Sequence, residues 1–282
     1  MKRSITSSPT VFLCDTSPCA VAISSNNLQC LDFSEAAYST VRIELISAPR
    51  LHTFKLTGYH GADSWVEYGD DLPRLQEAVV SCRDYLFPWP AHHIRKLAPH
   101  LQRLGLEIMS SDFIRRLPCK SSWLQFEKLR VLDLVIDIGE ALPSFLECTV
   151  LLRAAPMLRE LSVWFQNVSD DSRIWERRDL VAESSTWKHR SLEVLQLHGV
   201  HPHGIAVDFR NRQLELAAYI IMNAPSLNQI VINTRRRDPL HGSLGRVMMS
   251  DPIDARMCEA KMELETQLQG RSASPHINFT YQ

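Results

Sequence analysis

Ala155-Pro156-Met157-Leu158-Arg159-Glu160-Leu161-Ser162-Val163 is one copy of a short pattern, apolar-x-x-apolar-x-apolar, led by Ala-Pro. It recurs as Ala48-Pro49-Arg50-Leu51-His52-Thr53-Phe54-Lys55-Leu56 and as Ala98-Pro99-His100-Leu101-Gln102-Arg103-Leu104-Gly105-Leu106. A further copy is Ala224-Pro225-Ser226-Leu227-Asn228-Gln229-Ile230-Val231-Ile232. Two copies lack the Ala-Pro: Leu129-Arg130-Val131-Leu132-Asp133-Leu134 and Leu192-Glu193-Val194-Leu195-Gln196-Leu197. Two weaker ones are Leu28-Gln29-Cys30-Leu31-Asp32-Phe33 and Leu75-Gln76-Glu77-Ala78-Val79-Val80.

The first apolar positions are 28, 51, 75, 101, 129, 158, 192 and 227, separated by 23, 24, 26, 28, 29, 34 and 35 residues. The spacing begins inside the period of leucine-rich repeats and lengthens toward the C-terminus. Each unit reads as a short strand whose alternate side chains enter a core. One unit cannot bury its apolar face, whereas stacked units can. The expected fold is therefore α/β: a leucine-rich-repeat solenoid of roughly eight to nine turns, with a curved parallel strand ledger and helices and irregular segments on the outer side. Residues 1–27 read as an N-terminal strand-like cap or partial repeat, a strand, a turn and another strand. Residues 28–235 hold the repeats. Residues 236–282 read as a C-terminal loop, a helix and a possible final strand of the same domain.

Pro cannot continue a helix and pushes the residue before it out of the helical region. The Ala-Pro pairs therefore separate a returning segment from the next strand. Two returning segments have helical spacing. In 141–155, Pro143 lies in the first turn, followed by Phe145, Leu146, Thr149 and Leu152. In 211–223, Leu214, Ala217, Ala218, Ile221 and Met222 are placed on one face. Residues 58–71 read as an acidic, aromatic loop with Tyr59, Trp65 and Tyr68. Residues 166–190 read as a polar insertion with Trp175 and Trp187, and 235–250 as a basic loop. Residues 253–269 read as a charged helix, and Ile277-Asn278-Phe279 as one more strand.

Composition excludes several classes. With 282 residues, 45% hydrophobic and 22% charged, the chain is neither disordered throughout nor collagen-like. A formal net charge of -1, from 31 Lys+Arg and 32 Asp+Glu, supplies no global attraction to nucleic acid or anionic lipid. No apolar run nears the ~20 residues of a membrane span. The seven cysteines form no C-x-x-C pair and read as buried small hydrophobes of a reducing compartment, cytoplasmic or nuclear.

From about residue 140 onward the chain resembles the leucine-rich-repeat part of plant F-box proteins, especially grass proteins with an FBD-type C-terminal region. The resemblance rests on Phe145-Leu146, on Leu151-Leu152-Arg153-Ala154-Ala155-Pro156-Met157-Leu158-Arg159-Glu160-Leu161, and on His189-Arg190-Ser191-Leu192-Glu193-Val194-Leu195. Its most specific stretch runs from Asn211-Arg212-Gln213-Leu214-Glu215-Leu216 through Ala217-Ala218-Tyr219-Ile220-Ile221-Met222 to Asn223-Ala224-Pro225-Ser226-Leu227. The upstream Ala-Pro-x-Leu copies fit the same family. The resemblance implies recognition of substrates for a ubiquitin ligase. Residues 1–50 hold nothing like an F-box, the segment that docks on a Skp-type adaptor. Only partner recognition carries over, and the adaptor is expected only by indirect recruitment.

No catalytic constellation emerges. The chain has no G-x-G-x-x-G, no Walker-type glycine loop, no G-x-S-x-G and no H-E-x-x-H. His92-His93 and His201-Pro202-His203 are close histidine pairs, with Asp208 the carboxylate nearest the second; both read as loop histidines. Arg235-Arg236-Arg237 reads as a solvated loop. The expectation is a non-enzymatic protein without cofactor or metal.

The outward positions of the strands offer more. One column reads Asp32, Lys55, Val79, Gly105, Asp133, Ser162, Gln196 and Val231; the next reads Ser34, Thr57, Ser81, Glu107, Val135, Trp164, His198 and Asn233. A phosphate-binding face would be mostly Lys and Arg. This mixed face suits a protein or a small molecule better. Trp164 stands as an interface anchor if exposed, with the alternative that it covers the strand edge beneath the long insertion. The candidate partner-binding residues are Asp133, Val135, Ser162, Trp164, Gln196 and His198. The expected partner is a protein, with neither nucleic acid nor membrane involved. A small-molecule receptor or co-receptor on the same scaffold is the alternative.

Overall fold

The structure is a computed structural model. It describes residues 10–13, 19–39, 41–60, 65–68, 72–82, 98–108, 125–137, 148–166, 188–199, 207–233, 266 and 277–281. One sheet holds ten strands: β1 (Thr10–Leu13), β3 (Cys30–Ser39), β5 (Thr53–His60), β7 (Glu77–Cys82), β8 (Arg103–Ile108), β9 (Val131–Asp137), β10 (Glu160–Gln166), β11 (Val194–His198), β12 (Gln229–Asn233) and β13 (Asn278–Tyr281), in that order. A second sheet holds β2 (Cys19–Ser24), β4 (Val41–Ser47) and β6 (Trp65–Tyr68). Every pairing is parallel. Parallel neighbours need a return crossing between them, and the chain makes one before each new strand of the large sheet. The protein is α/β, with few helices among the described residues.

The repeated leucines set this order. Leu28, Leu51, Leu75, Leu101, Leu129, Leu158, Leu192 and Leu227 are all buried, none more than 1% exposed. The second column, from Leu31 and Phe54 to Leu195 and Ile230, is equally buried, and the third, from Phe33 to Ile232, is buried throughout. All belong to one contiguous core. At about 25 cal/mol per Å² of apolar surface removed from water, these columns dominate what holds the sheet together.

The Ala-Pro pairs do more than end a segment. The Ala48 carbonyl accepts the Leu51 N–H at 3.0 Å, Ala155 accepts Leu158 at 3.1 Å, and Ala224 accepts Leu227 at 3.1 Å. Each is a β-turn with Pro at its second position, where the ring's fixed φ suits the turn. Leu72 to Leu75 and Phe126 to Leu129 close the same way. After each turn one carbonyl accepts two N–H groups of the next strand. Gln29 takes His52 and Thr53, Gln76 takes Gln102 and Arg103, and Arg130 takes Arg159 and Glu160. This ladder starts every strand at the same height.

Among the described residues the return segments show two kinds. The early ones hold β2, β4 and β6. The later ones hold helix α1 (Thr149–Ala154) and helix α2 (Val207–Asn223). The loop expected over 58–71 is corrected in part: β5 runs on to His60, and Trp65–Tyr68 forms β6 beside β4. A strand covers about twice the distance per residue of a helix, so the shortest repeats return as strands. Ile43 and Leu45 of β4 enter the same core.

α2 begins four residues before the expected 211. Ala217, Ala218 and Ile221 are buried as expected, but Met222 is 44% exposed. The inward face turns instead through Leu216 and Ile220 to Ala224. Lys188 Nζ donates to the Met222 carbonyl at 2.7 Å, and Asn223 Nδ2 to the Tyr219 carbonyl at 2.8 Å. Both satisfy carbonyls of the last turn.

Two strands stand in the N-terminal segment, β1 and β2, which enter different sheets, and the final strand runs Asn278–Tyr281 rather than 277–279. The basic loop 235–250 and both histidine pairs lie outside the described residues, as do Trp175, Trp187 and most of 253–269. Cys30 and Cys148 are not joined in a disulfide. Among the described residues no helix is long and apolar enough to cross a membrane.

Candidate functional site

Strand alternation gives the large sheet a second face, opposite the core. Asp32, Lys55, Val79, Gly105, Asp133, Ser162, Gln196 and Val231 occupy one register row across eight strands. A second row runs Glu107, Val135, Trp164, His198 and Asn233. The first column read from the sequence is therefore one row in space, and the second is a row from Glu107 to Asn233. Val79, Val135 and Val231 are buried yet stand outside the contiguous core.

These positions are mostly closed to solvent, and Trp164 is not the fully exposed anchor of one of its two readings. Asp133 is 7% exposed, Val135 0%, Ser162 4% and His198 5%, while Trp164 and Gln196 are half-buried. Side chains in register about 4.8 Å apart shield one another. Here two of them are large rings in contact. The Trp164 and His198 rings stack with centroids 3.6 Å apart and planes within 5°.

This stack leaves polar atoms without partners. Trp164 Nε1 and both ring nitrogens of His198 are buried and make no hydrogen bond. Each such atom costs about 1–3 kcal/mol relative to a satisfied one. Burial pushes the His198 imidazole down to about 4, so at neutral pH it is uncharged and offers one donor and one acceptor.

Beside the stack lies a charged group. Arg103 Nε and Nη2 both donate to Asp133 Oδ2, at 3.0 and 2.8 Å. Burial pushes the Asp133 carboxyl above its ordinary range, and Arg103 and the Ser162 hydroxyl offset this in part. Gln196 Nε2 donates to Glu160 Oε1 at 2.6 Å.

Arg103 and Glu160 were not singled out from the sequence. They belong to a third row, Glu77, Arg103, Val131, Glu160, Val194 and Gln229. The signal was the alternation of charge at one repeat position, Glu77 then Arg103 then Glu160. Among the described residues no three His, Cys, Asp or Glu side chains are grouped to hold a metal ion.

The end of the stack row depends on one glycine. Gly199 follows β11 with φ +71, and a Cβ there would meet the Phe165 carbonyl oxygen at 2.5 Å. Its N–H donates to the Asn233 carbonyl at 2.8 Å. Gln213 of α2 adds Nε2 toward the Gly199 carbonyl at 3.5 Å.

No protein-family model, curated protein or solved structure matches the chain.

Proposed function

We propose that the chain is a non-enzymatic recognition module, built as a leucine-rich-repeat solenoid and acting like the substrate-binding repeat region of plant F-box proteins. The observation that carries this reading is the second face of the large sheet. One mixed row stays in register over eight strands and its neighbour over five, with Asp133, Ser162, Trp164, Gln196 and His198 close together near the middle. A rigid parallel sheet holds such side chains at fixed spacing, which favours recognition by shape and polar complementarity. A stacked indole half-open to solvent is the kind of anchor that dominates interface energies.

The test is affinity capture from plant extract with the full chain and with a Trp164→Ala/His198→Ala variant, probed also for the Skp-type adaptor and cullin. The expected result is a defined set of proteins retained by the full chain and lost with the variant. Retention that ignores the variant overturns the assignment of the face. Direct, stoichiometric adaptor binding would assign a ligase-receptor role without an intermediary.

The unpartnered Trp164 and His198 nitrogens favour a second reading, a small-molecule receptor on the same scaffold. A neutral compound pairing donor and acceptor would satisfy them. Binding of a compound fraction from plant extract, lost with the same variant, would support it.

A further inference from the structure

The turns that precede the strands lie side by side at one edge of the large sheet. Their alignment is visible in the carbonyl ladder and in two cross-turn bonds, Arg50 Nη1 to Asn27 Oδ1 at 3.3 Å and Ser226 Oγ to the Arg190 carbonyl at 2.7 Å. Eight turn segments form this edge: 26–29, 48–52, 72–76, 98–102, 126–130, 155–159, 189–193 and 224–228. They carry Arg50, Arg74, Lys128, Arg130, Arg159 and Arg190, all exposed, against two carboxylates, Glu127 and Glu193. In a chain of net charge -1, six cations to two anions along one edge is a local excess. Among the described residues, Arg74, Lys128, Arg130, Arg159 and Arg190 form no side-chain ion pair.

We propose that this edge binds an acidic, extended polypeptide segment of a partner, which deepens and rests on the recognition reading above. The turns from β5 to β11 follow one another at about 4.8 Å, so the cations span about 24 Å, the reach of roughly seven extended residues. Two features favour polypeptide over nucleic acid. The exposed side chain of Met157 (50%) sits on the same row between Lys128 and Ser191, where it suits apolar side chains rather than phosphate. No exposed aromatic platform for base stacking stands among these turns. A membrane surface would call for a broad apolar face beside the cations, whereas Met157 is the one exposed large hydrophobic residue among these turns.

The experiment titrates the full chain with a fluorescent glutamate peptide of about twelve residues at two salt concentrations. An oligothymidine and phosphatidylserine-containing vesicles serve as competing probes. The variants are Arg74→Glu/Arg130→Glu/Arg159→Glu and, separately, Trp164→Ala/His198→Ala. The expected result is peptide binding that weakens with salt, falls about tenfold or more with the charge-reversal variant, and is unchanged by the Trp164/His198 variant. An unchanged thermal midpoint for the charge-reversal variant checks that it folds. No peptide binding, binding indifferent to the charge reversal, or tighter binding of oligothymidine or vesicles overturns the proposal. None of these outcomes touches capture through the sheet face, so the two readings fail separately.

Discussion

The two faces of the ten-stranded sheet obey different rules. On the core face every repeat presents the same chemistry: a leucine, then an apolar residue, then another, each sealed from water. On the opposite face no single residue type runs along a row. A carboxylate lies beside a serine, a valine beside a tryptophan, and a tryptophan on a histidine. The backbone is common to both faces, so the difference lies in what each side chain must satisfy. Core positions need only volume and apolarity, which any stacked copy supplies. The other face carries polar groups that need specific partners, and at the Trp164–His198 stack they do not all have one.

The largest expected effect comes from breaking the uniform face. Phe54 is fully buried in the core, and Phe54→Ala should cost about 3–5 kcal/mol. Val135 is as buried but lies on the other face, and Val135→Ala should cost clearly less, about 1–2 kcal/mol. Urea denaturation of both variants makes the comparison; equal losses would mean that the second face is a second core.

The next effect is a pH dependence confined to the mixed face. His198 is lowered to about 4 in the folded chain, against about 6.5 unfolded. The neutral form is favoured by folding, so this stability is fully present above about pH 6.5 and is lost as pH falls through about 4. The shift corresponds to at most about 3 kcal/mol. His189, buried beside the Ala155 carbonyl, is also lowered and acts in the same direction. Asp133 is raised by burial and acts in the opposite sense, its protonation on acidification favouring the fold. Comparing the chain with His198→Phe from pH 7 to pH 4 isolates the first contribution. The variant should be the more acid-resistant, and parallel curves would remove His198 from the account.

Gly199→Ala should destabilise by about 2 kcal/mol or more, because a side chain at positive φ is strained and the new Cβ would press on a backbone carbonyl. A thermal midpoint within a degree of the parent would mean that this turn can shift. The smallest effect expected is at Arg103→Ala, about 1 kcal/mol, because half the arginine is exposed. A double-mutant cycle with Asp133→Asn reads the pairing itself.

Much of this was legible in the chain alone. The spacing of Leu28, Leu51, Leu75, Leu101, Leu129, Leu158, Leu192 and Leu227 determines the parallel strands, their order and their register, because alternation in a strand leaves one face for apolar residues. The Ala-Pro pairs mark where strands begin, because Pro restricts its own φ and the residue before it. The two columns of outward residues also follow from that register. Other features needed the tertiary structure. Whether a return forms β6 or α2 depends on the distance left to cross after neighbouring repeats have packed. Whether Val135 or His198 meets water depends on what lies beside it on the next strand, which no residue encodes by itself. The Trp164–His198 stack and the Arg103–Asp133 pair join residues 34 and 30 positions apart in sequence. The row of turn cations is likewise assembled from many separate segments. Local sequence dictates backbone conformation and the face each residue takes, whereas long-range contact decides burial, pairing and charge, because those depend on neighbours that only folding supplies.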